Sequence, residues 1–196
     1  LGKIISELGY KQLRIAETEK YAHVTYFFNL GDEHPTKKED RILVPSPGVA
    51  TYDLKPEMSA KIITSRLLET LNQDYKLTVV NFANGDMVGH TGNIKAAIKA
   101  METIDQCLEI IFKKVNLDNT TVIVTADHGN CDEMLLPDGR VSTSHSLNKV
   151  PFIVVSNKEH KLRTDKDLSI ANIAPTILKL LDEKVPEYMS EDLLDY

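Results

Sequence analysis

The sequence is poor in several things, and each shortage excludes a class of protein. It has only two cysteines, Cys107 and Cys131, 24 residues apart. They make neither a CxxC pair nor a disulfide framework, so two reduced thiols in a cytoplasmic protein are expected. No apolar run approaches the ~18 residues that span a bilayer, the longest being stretches such as 150–155. The first residues, LGKIISELGYKQ, lack the basic, apolar, small-residue order of a secretory signal. Positive charge is outnumbered, 23 Lys and Arg against 29 Asp and Glu, for a formal net charge of −6. No basic stripe for nucleic acid follows from such a balance. Repeats and low-complexity tracts are absent.

What remains suits a folded domain. In 196 residues the apolar set makes up 42% and charged residues 27%. That is too apolar for a disordered chain and long enough for a buried core. Strand and helix patterns alternate. The β-branched and aromatic residues 24–29 predict a strand, and 30–52, with three prolines, a long connection. A helix is expected over 56–72, with Pro56 in its first turn and Ile62, Ile63, Leu67 and Leu71 on one face. Residues 77–82 read as a strand. Residues 93–115 read as a helix capped by Asn93, with Ile94, Ala97, Ile98, Met101, Ile104, Leu108 and Ile111 along one stripe. Strands follow at 120–125 and 150–155. A last helix is expected over 169–181, kinked or started by Pro175. The acidic end, with Glu187, Glu191, Asp192 and Asp195, reads as solvated. The fold class is therefore α/β, a mostly parallel sheet covered by helices on both faces. Ligands in such folds sit outside the carboxyl ends of the strands.

The polar residues gather at those ends. Asp86 and His90 follow the strand at 77–82, Asp127 and His128 follow that at 120–125, and His145 precedes that at 150–155. Four of the nine glycines (Gly85, Gly89, Gly92, Gly129) flank them. Carboxylate oxygen with imidazole nitrogen and no thiolate suits Mn²⁺ or Zn²⁺, and Mg²⁺ or Ca²⁺ less well. Asp86 and His90, four apart, can converge on one ion. Asp127 and His128 can share an ion past a strand end or serve neighbouring ones. Five ligands exceed the need of one catalytic ion, so two are expected, as in phosphoryl chemistry. Singly, each residue has a plainer reading. Asp86 or Asp127 could cap a helix, and His23, His34 and His160 read as structural or solvated. Cys131 reads as a bystander thiol, and Lys20 as a solvated helix lysine.

The stretches NGDMVGHTG (84–92), TADHGN (125–130) and TSHSLNKVPF (143–152) resemble the alkaline phosphatase superfamily. QLRIAETEKYAHVTYFF (12–28) and PSPGVATYDLKPEMSA (45–60) resemble, within it, the cofactor-independent phosphoglycerate mutases. The only departure noted is Lys149, where proline is common. The resemblance implies an alkaline-phosphatase-like fold. It implies Asp86, His90 and His145 on one manganese and Asp127 and His128 on a second, with Zn²⁺, Mg²⁺ or Co²⁺ as substitutes. It moves Lys20 to the substrate phosphate. The implied activity interconverts 3-phosphoglycerate and 2-phosphoglycerate in glycolysis, without 2,3-bisphosphoglycerate, through a phosphoserine. The implied protein is a cytoplasmic monomer with no nucleic-acid or membrane partner.

In that family the nucleophilic serine and another aspartate ligand come from an N-terminal segment, and a phosphotransferase domain is inserted after it. None of these is present in residues 1–196, and neither Ser144 nor Ser146 has reason to be the nucleophile. No catalytic residue is therefore assigned. The chain is expected to be the C-terminal portion of the metal-binding domain, inactive alone, with Leu1 interior to a longer protein. The alternatives are a phosphopentomutase or metal phosphohydrolase of the same superfamily, or a non-catalytic metal-binding domain.

Overall fold

A computed structural model describes residues 1–164 and 168–195. The chain divides into two units, Leu1–Val115 with His128–Lys149, and Asn116–Asp127 with the described part of Val150–Tyr196. In the first unit the elements are α1 (Gly2–Glu7), β1 (Lys11–Glu17), α2 (Thr18–Val24), β2 (Glu39–Val44), α3 (Ala60–Leu68), β3 (Tyr75–Val80), α4 (Asn84–Gly89) and α5 (Ile94–Phe112). Strand β1 lies between β2 and β3, parallel to both, with Ile15 beside Ile42 and Val80. This is the expected α/β arrangement. Strand β1 itself falls outside every predicted strand, because polar residues mask it. Successive side chains alternate between faces. One face sends Ile15 into a cluster with Val44 and Ile63 of α3. The other buries Gln12 and Arg14 completely.

Arg14 is tolerated there because it has partners. Its Nη2 donates to Gln12 Oε1 at 2.5 Å, and its guanidinium lies 4.2 Å over the ring of Phe28. Gln12 in turn donates to the carbonyl of Gly2 at 2.8 Å, which brings α1 onto this face. Burial lowers the Arg14 pKa to about 10. Residues 24–29 are therefore not a strand. Helix α2 runs to Val24 and turns continue to Gly31, with helix-like bonds such as Asn29 N to Thr25 O at 2.9 Å. Packing Phe28 against Arg14 overrides the strand propensity of the segment. The connection at 30–52 likewise contains β2.

The helix expected over 56–72 is α3 alone, flanked by turns. Met58 adopts φ 44°, which breaks the helical path before Ala60. Helix α5 matches its prediction within a few residues, and Asn93 accepts from Ala96 N at 3.2 Å as its cap. Its buried face is shifted. Ala96, Ala97, Ala100, Thr103, Cys107 and Ile111 are buried, whereas Ile98 and Met101 stay 56% and 47% exposed. Small residues let α4 approach closely, and Val88, Ala83, Met58 and Met134 close the core against Ala96, Ala97 and Ala100. The larger residues instead line a groove of about 550 Å³ with Leu135.

In the second unit β4 (Val122–Thr125) and β5 (Phe152–Val155) pair antiparallel. A 3₁₀ turn at Ile170–Asn172, capped by Ser169, leads into α6 (Ile173–Leu180), with Pro175 in its first turn. The acidic end is anchored rather than free. Leu193 and Leu194 are buried, Glu191 pairs with Arg163 at 2.5 Å, and Asp195 with Lys161 at 2.6 Å. Among the described residues no helix is long and apolar enough to cross a membrane.

Ile63 is fully buried against Ile15 and Val44. Ile63→Ala should cost about 3 kcal/mol in urea unfolding with the m-value unchanged. The same truncation at exposed Ile98 should cost under about 1 kcal/mol. Equal losses would contradict this assignment of the core.

Candidate metal centre

The carboxyl end of β3 runs into Asn81–Ala83 and then α4. This helix is barely more than one turn, and its spacing brings positions 86 and 90 onto one side. Asp86 Oδ1 and His90 Nε2 are 3.0 Å apart. His145, 55 residues on, reaches the same point, with Nε2 3.1 Å from Asp86 Oδ1 and 3.2 Å from His90 Nε2. Asp86, His90 and His145 form the one group of three potential metal ligands found among the described residues. Asp86 is half-buried and the two histidines are exposed, so the group is open to solvent.

The protonation pattern fits a cation. His90 Nδ1 lies 2.6 Å from the carbonyl of Thr143. A carbonyl only accepts, so Nδ1 carries a proton, and when the ring is neutral Nε2 presents its lone pair. That lone pair faces a carboxylate oxygen with no donor between them. A divalent cation completes such an arrangement, and the Nδ1–H bond to a carbonyl is the usual orienting partner of a metal-binding histidine.

The other oxygen of Asp86 has a different role. Lys20, in the first turn of α2 and only 7% exposed, donates through Nζ to Asp86 Oδ2. It is thus a buried partner of the cluster rather than a solvated helix lysine. Asn130 Nδ2 donates to Asp86 Oδ1 at 2.8 Å. Burial acts to raise the Asp86 pKa. The bonds from Lys20 and Asn130, with the charge of Lys20, outweigh it and bring the value to about 2.

His128 is half-buried, and its ring stacks on His145 with centroids 3.6 Å apart. Asp127 is exposed just past β4, in the second unit. Neither belongs to the group of three. Cys131 donates to the carbonyl of Gly85 at 2.7 Å, and burial pushes its thiol pKa up, away from a reactive thiolate. His34 pairs with Asp32 at the surface, and His23 lies edge-on to Phe27. Two contributors escaped the sequence reading, Asn130 and the Thr143 carbonyl. A backbone acceptor leaves no mark in a sequence. Asn130 had an indirect one in Gly89, where a Cβ would lie 2.3 Å from Asn130 Oδ1. Only glycine leaves room for the amide to reach Asp86.

Residues 1–184 match the metalloenzyme superfamily. Proteins named 2,3-bisphosphoglycerate-independent phosphoglycerate mutase are similar along almost the whole chain. That of Antithamnion sp. is 51% identical over 192 residues, 97% of this chain and 38% of the relative. That of Clostridium botulinum is 52% identical over 196 residues, 99% of this chain and 38% of the relative. The chain thus spans little more than a third of the length of these curated relatives. Leishmania mexicana phosphoglycerate mutase, solved at low cobalt concentration, superposes with a TM-score of 0.91 at 33% identity. The match covers 99% of this chain and 39% of that one. A metalloenzyme match together with this donor set indicates a divalent metal.

The Lys20–Asp86 pair has a pH signature. The folded pKa of Asp86 lies below the ~3.9 of an unfolded aspartate. Its stabilising contribution is therefore present above that value and is lost as pH falls towards about 2. In Lys20→Met the burial that raises the pKa is left less opposed. The carboxyl should then titrate at higher pH, and the part of the acid-dependent loss of stability that Asp86 contributes should shrink. Carboxyl ¹³C NMR reads this directly, and an unchanged Asp86 titration would refute the pairing.

Proposed function

The chain belongs to the metalloenzyme superfamily, and from that premise we propose that it is the C-terminal part of the metal-binding, phosphatase-like domain of a cofactor-independent phosphoglycerate mutase. The activity is interconversion of 3-phosphoglycerate and 2-phosphoglycerate, a glycolytic isomerisation that needs no 2,3-bisphosphoglycerate. The observation that carries this reading is the convergence of Asp86 Oδ1, His90 Nε2 and His145 Nε2, whose mutual distances are 3.0, 3.1 and 3.2 Å. Lys20 on the opposite oxygen of Asp86 supports it.

On this reading Asp86, His90 and His145 hold one manganese, and Asp127 and His128 contribute to a second. Bound divalent cations lower the pKa of a hydroxyl nucleophile and offset charge on a phosphoryl group in transfer. The residues of this chain prepare that chemistry. His90 keeps its proton on Nδ1, directed at Thr143, so that Nε2 stays a lone-pair donor. Asn130 fixes the Asp86 carboxylate from the side away from solvent. Lys20 supplies an ammonium with three N–H donors, enough to hold the Asp86 oxygen and a phosphate oxygen together. The nucleophilic serine and the groups that grip the glycerate belong to the remainder of the mutase, which acts as a cytoplasmic monomer on a small-molecule substrate.

Two measurements test the reading. Mn²⁺ titrated into the metal-stripped chain should find a site that His145→Ala weakens at least about 100-fold, more than loss of an outer-shell partner costs. Equal binding in both proteins would remove the ligand assignment. Residues 1–196 alone should leave 3-phosphoglycerate unchanged, while the full-length protein produces 2-phosphoglycerate. A full-length protein that hydrolyses phosphate esters without interconverting phosphoglycerates would replace the mutase with a phosphohydrolase.

A further inference from the structure

His145 is the member of the group that no helix or strand holds. It lies in the arm 143–149, which crosses the site without regular structure apart from an isolated bridge at Ser146. Burial does little to fix this arm. Ser144, His145, Leu147, Asn148 and Lys149 are all exposed. Stacking on His128 orients the imidazole plane but leaves the backbone untied. The arm is held by polar contacts. Thr143 accepts from His90 at 2.6 Å, and Ser146 N donates to the Gly129 carbonyl at 3.0 Å. Beyond these, two side chains converge on one atom. Ser146 Oγ and Asn148 Nδ2 both donate to Asp132 Oδ2, at 2.8 and 2.7 Å.

We propose that Asp132 is a positioning residue of the metal centre, a clamp whose single carboxylate oxygen gathers Ser146 and Asn148 and so sets where His145 Nε2 stands. The inference rests on the reading of Asp86, His90 and His145 as metal ligands. Asp132 touches none of the three among its hydrogen bonds and acts through the backbone that joins His145 to the adjacent Ser146 and to Asn148 three positions on. Its own place is set by the 3₁₀ turn Cys131–Glu133, whose first residue Cys131 donates to the Gly85 carbonyl next to Asp86. The clamp therefore ties the His145 arm to the same backbone that carries the other two ligands. Its closeness depends on Gly129. A Cβ there would lie 2.1 Å from Ser146 Oγ and 2.6 Å from Asp132 Oδ1. Hydrogen bonds to a carboxylate are of the stronger kind, and a ligand held in place before the metal arrives need not be ordered by it.

The test uses Mn²⁺ added to the metal-stripped chain, followed by the electron paramagnetic resonance signal of the free ion. Asp132→Ala should weaken binding at the His145-dependent site about tenfold, within the range for outer-shell partners. The melting temperature should hardly move, since the carboxylate is at the surface. Asp132→Asn removes the charge but keeps an oxygen that accepts from both donors, and should stay within about threefold of wild type. Adding Ser146→Ala and Asn148→Ala to Asp132→Ala should cost less than about a further twofold, because one clamp is broken only once. Wild-type affinity in Asp132→Ala overturns the proposal. So does a loss in Asp132→Asn as large as in Asp132→Ala, which would mean long-range attraction of the charge rather than positioning. Mn²⁺ binding that His145→Ala abolishes and Asp132→Ala leaves intact sinks this inference alone. Binding indifferent to His145→Ala sinks the ligand reading and the clamp with it.

Discussion

One carboxylate organises this molecule's chemistry. Asp86 presents Oδ1 to two imidazoles and an amide, and Oδ2 to an ammonium. A half-buried anion of this kind is costly unless each lone pair is used. Here Lys20 and Asn130 are donors, and the two imidazoles bring Nε2 within 3.0 and 3.1 Å of Oδ1. The need to supply those neighbours explains why a lysine from α2, an asparagine from the 126–131 loop and a histidine from the 143–149 arm meet at the end of β3. Remove the carboxylate, and the structure has no reason to keep Lys20 buried or the two imidazoles together.

Close packing makes that meeting possible. The short helix α4 carries Asp86 and is pressed on α5 through Val88, Ala96, Ala97 and Ala100. A single turn of helix has little stability of its own, so its place is fixed by tertiary contact. Gly89 and Gly129 extend the same logic to the loops. Each marks a point where a side chain from another segment occupies the space a Cβ would need. The result is a site built on irregular backbone but backed by a rigid layer of small residues and by the parallel strands behind it.

Much of this was legible in the residues. The stretches around Asp86, His90, Asp127, His128 and His145 announced carboxylate and imidazole at strand ends, and the structure brings the first, second and last into contact. Other parts were hidden for physical reasons. Strand β1 alternates Leu13 and Ile15 with Gln12 and Arg14, so its period looks like a half-solvated surface although both faces are buried. The amide of Gln12 on the same strand and the ring of Phe28 make the inward arginine acceptable, and Phe28 comes from beyond the strand. The same contact turns 24–29 from an expected strand into helix and turn. On α5 the apolar stripe pointed to Ile98 and Met101, but close approach of α4 selected the alanines beside them.

Residue types and spacing by themselves determined the class of fold, the donor chemistry and the candidate ligands, because periodicity and coordination preference are local properties. The tertiary structure alone decided which oxygen of Asp86 faces the imidazoles, that Lys20 is buried against the other, and that a backbone carbonyl sets the proton on His90. Those facts depend on atoms as many as 66 residues apart in the chain, as Lys20 and Asp86 are. Such proximity is fixed by packing, and packing is a property of the whole fold rather than of any one stretch.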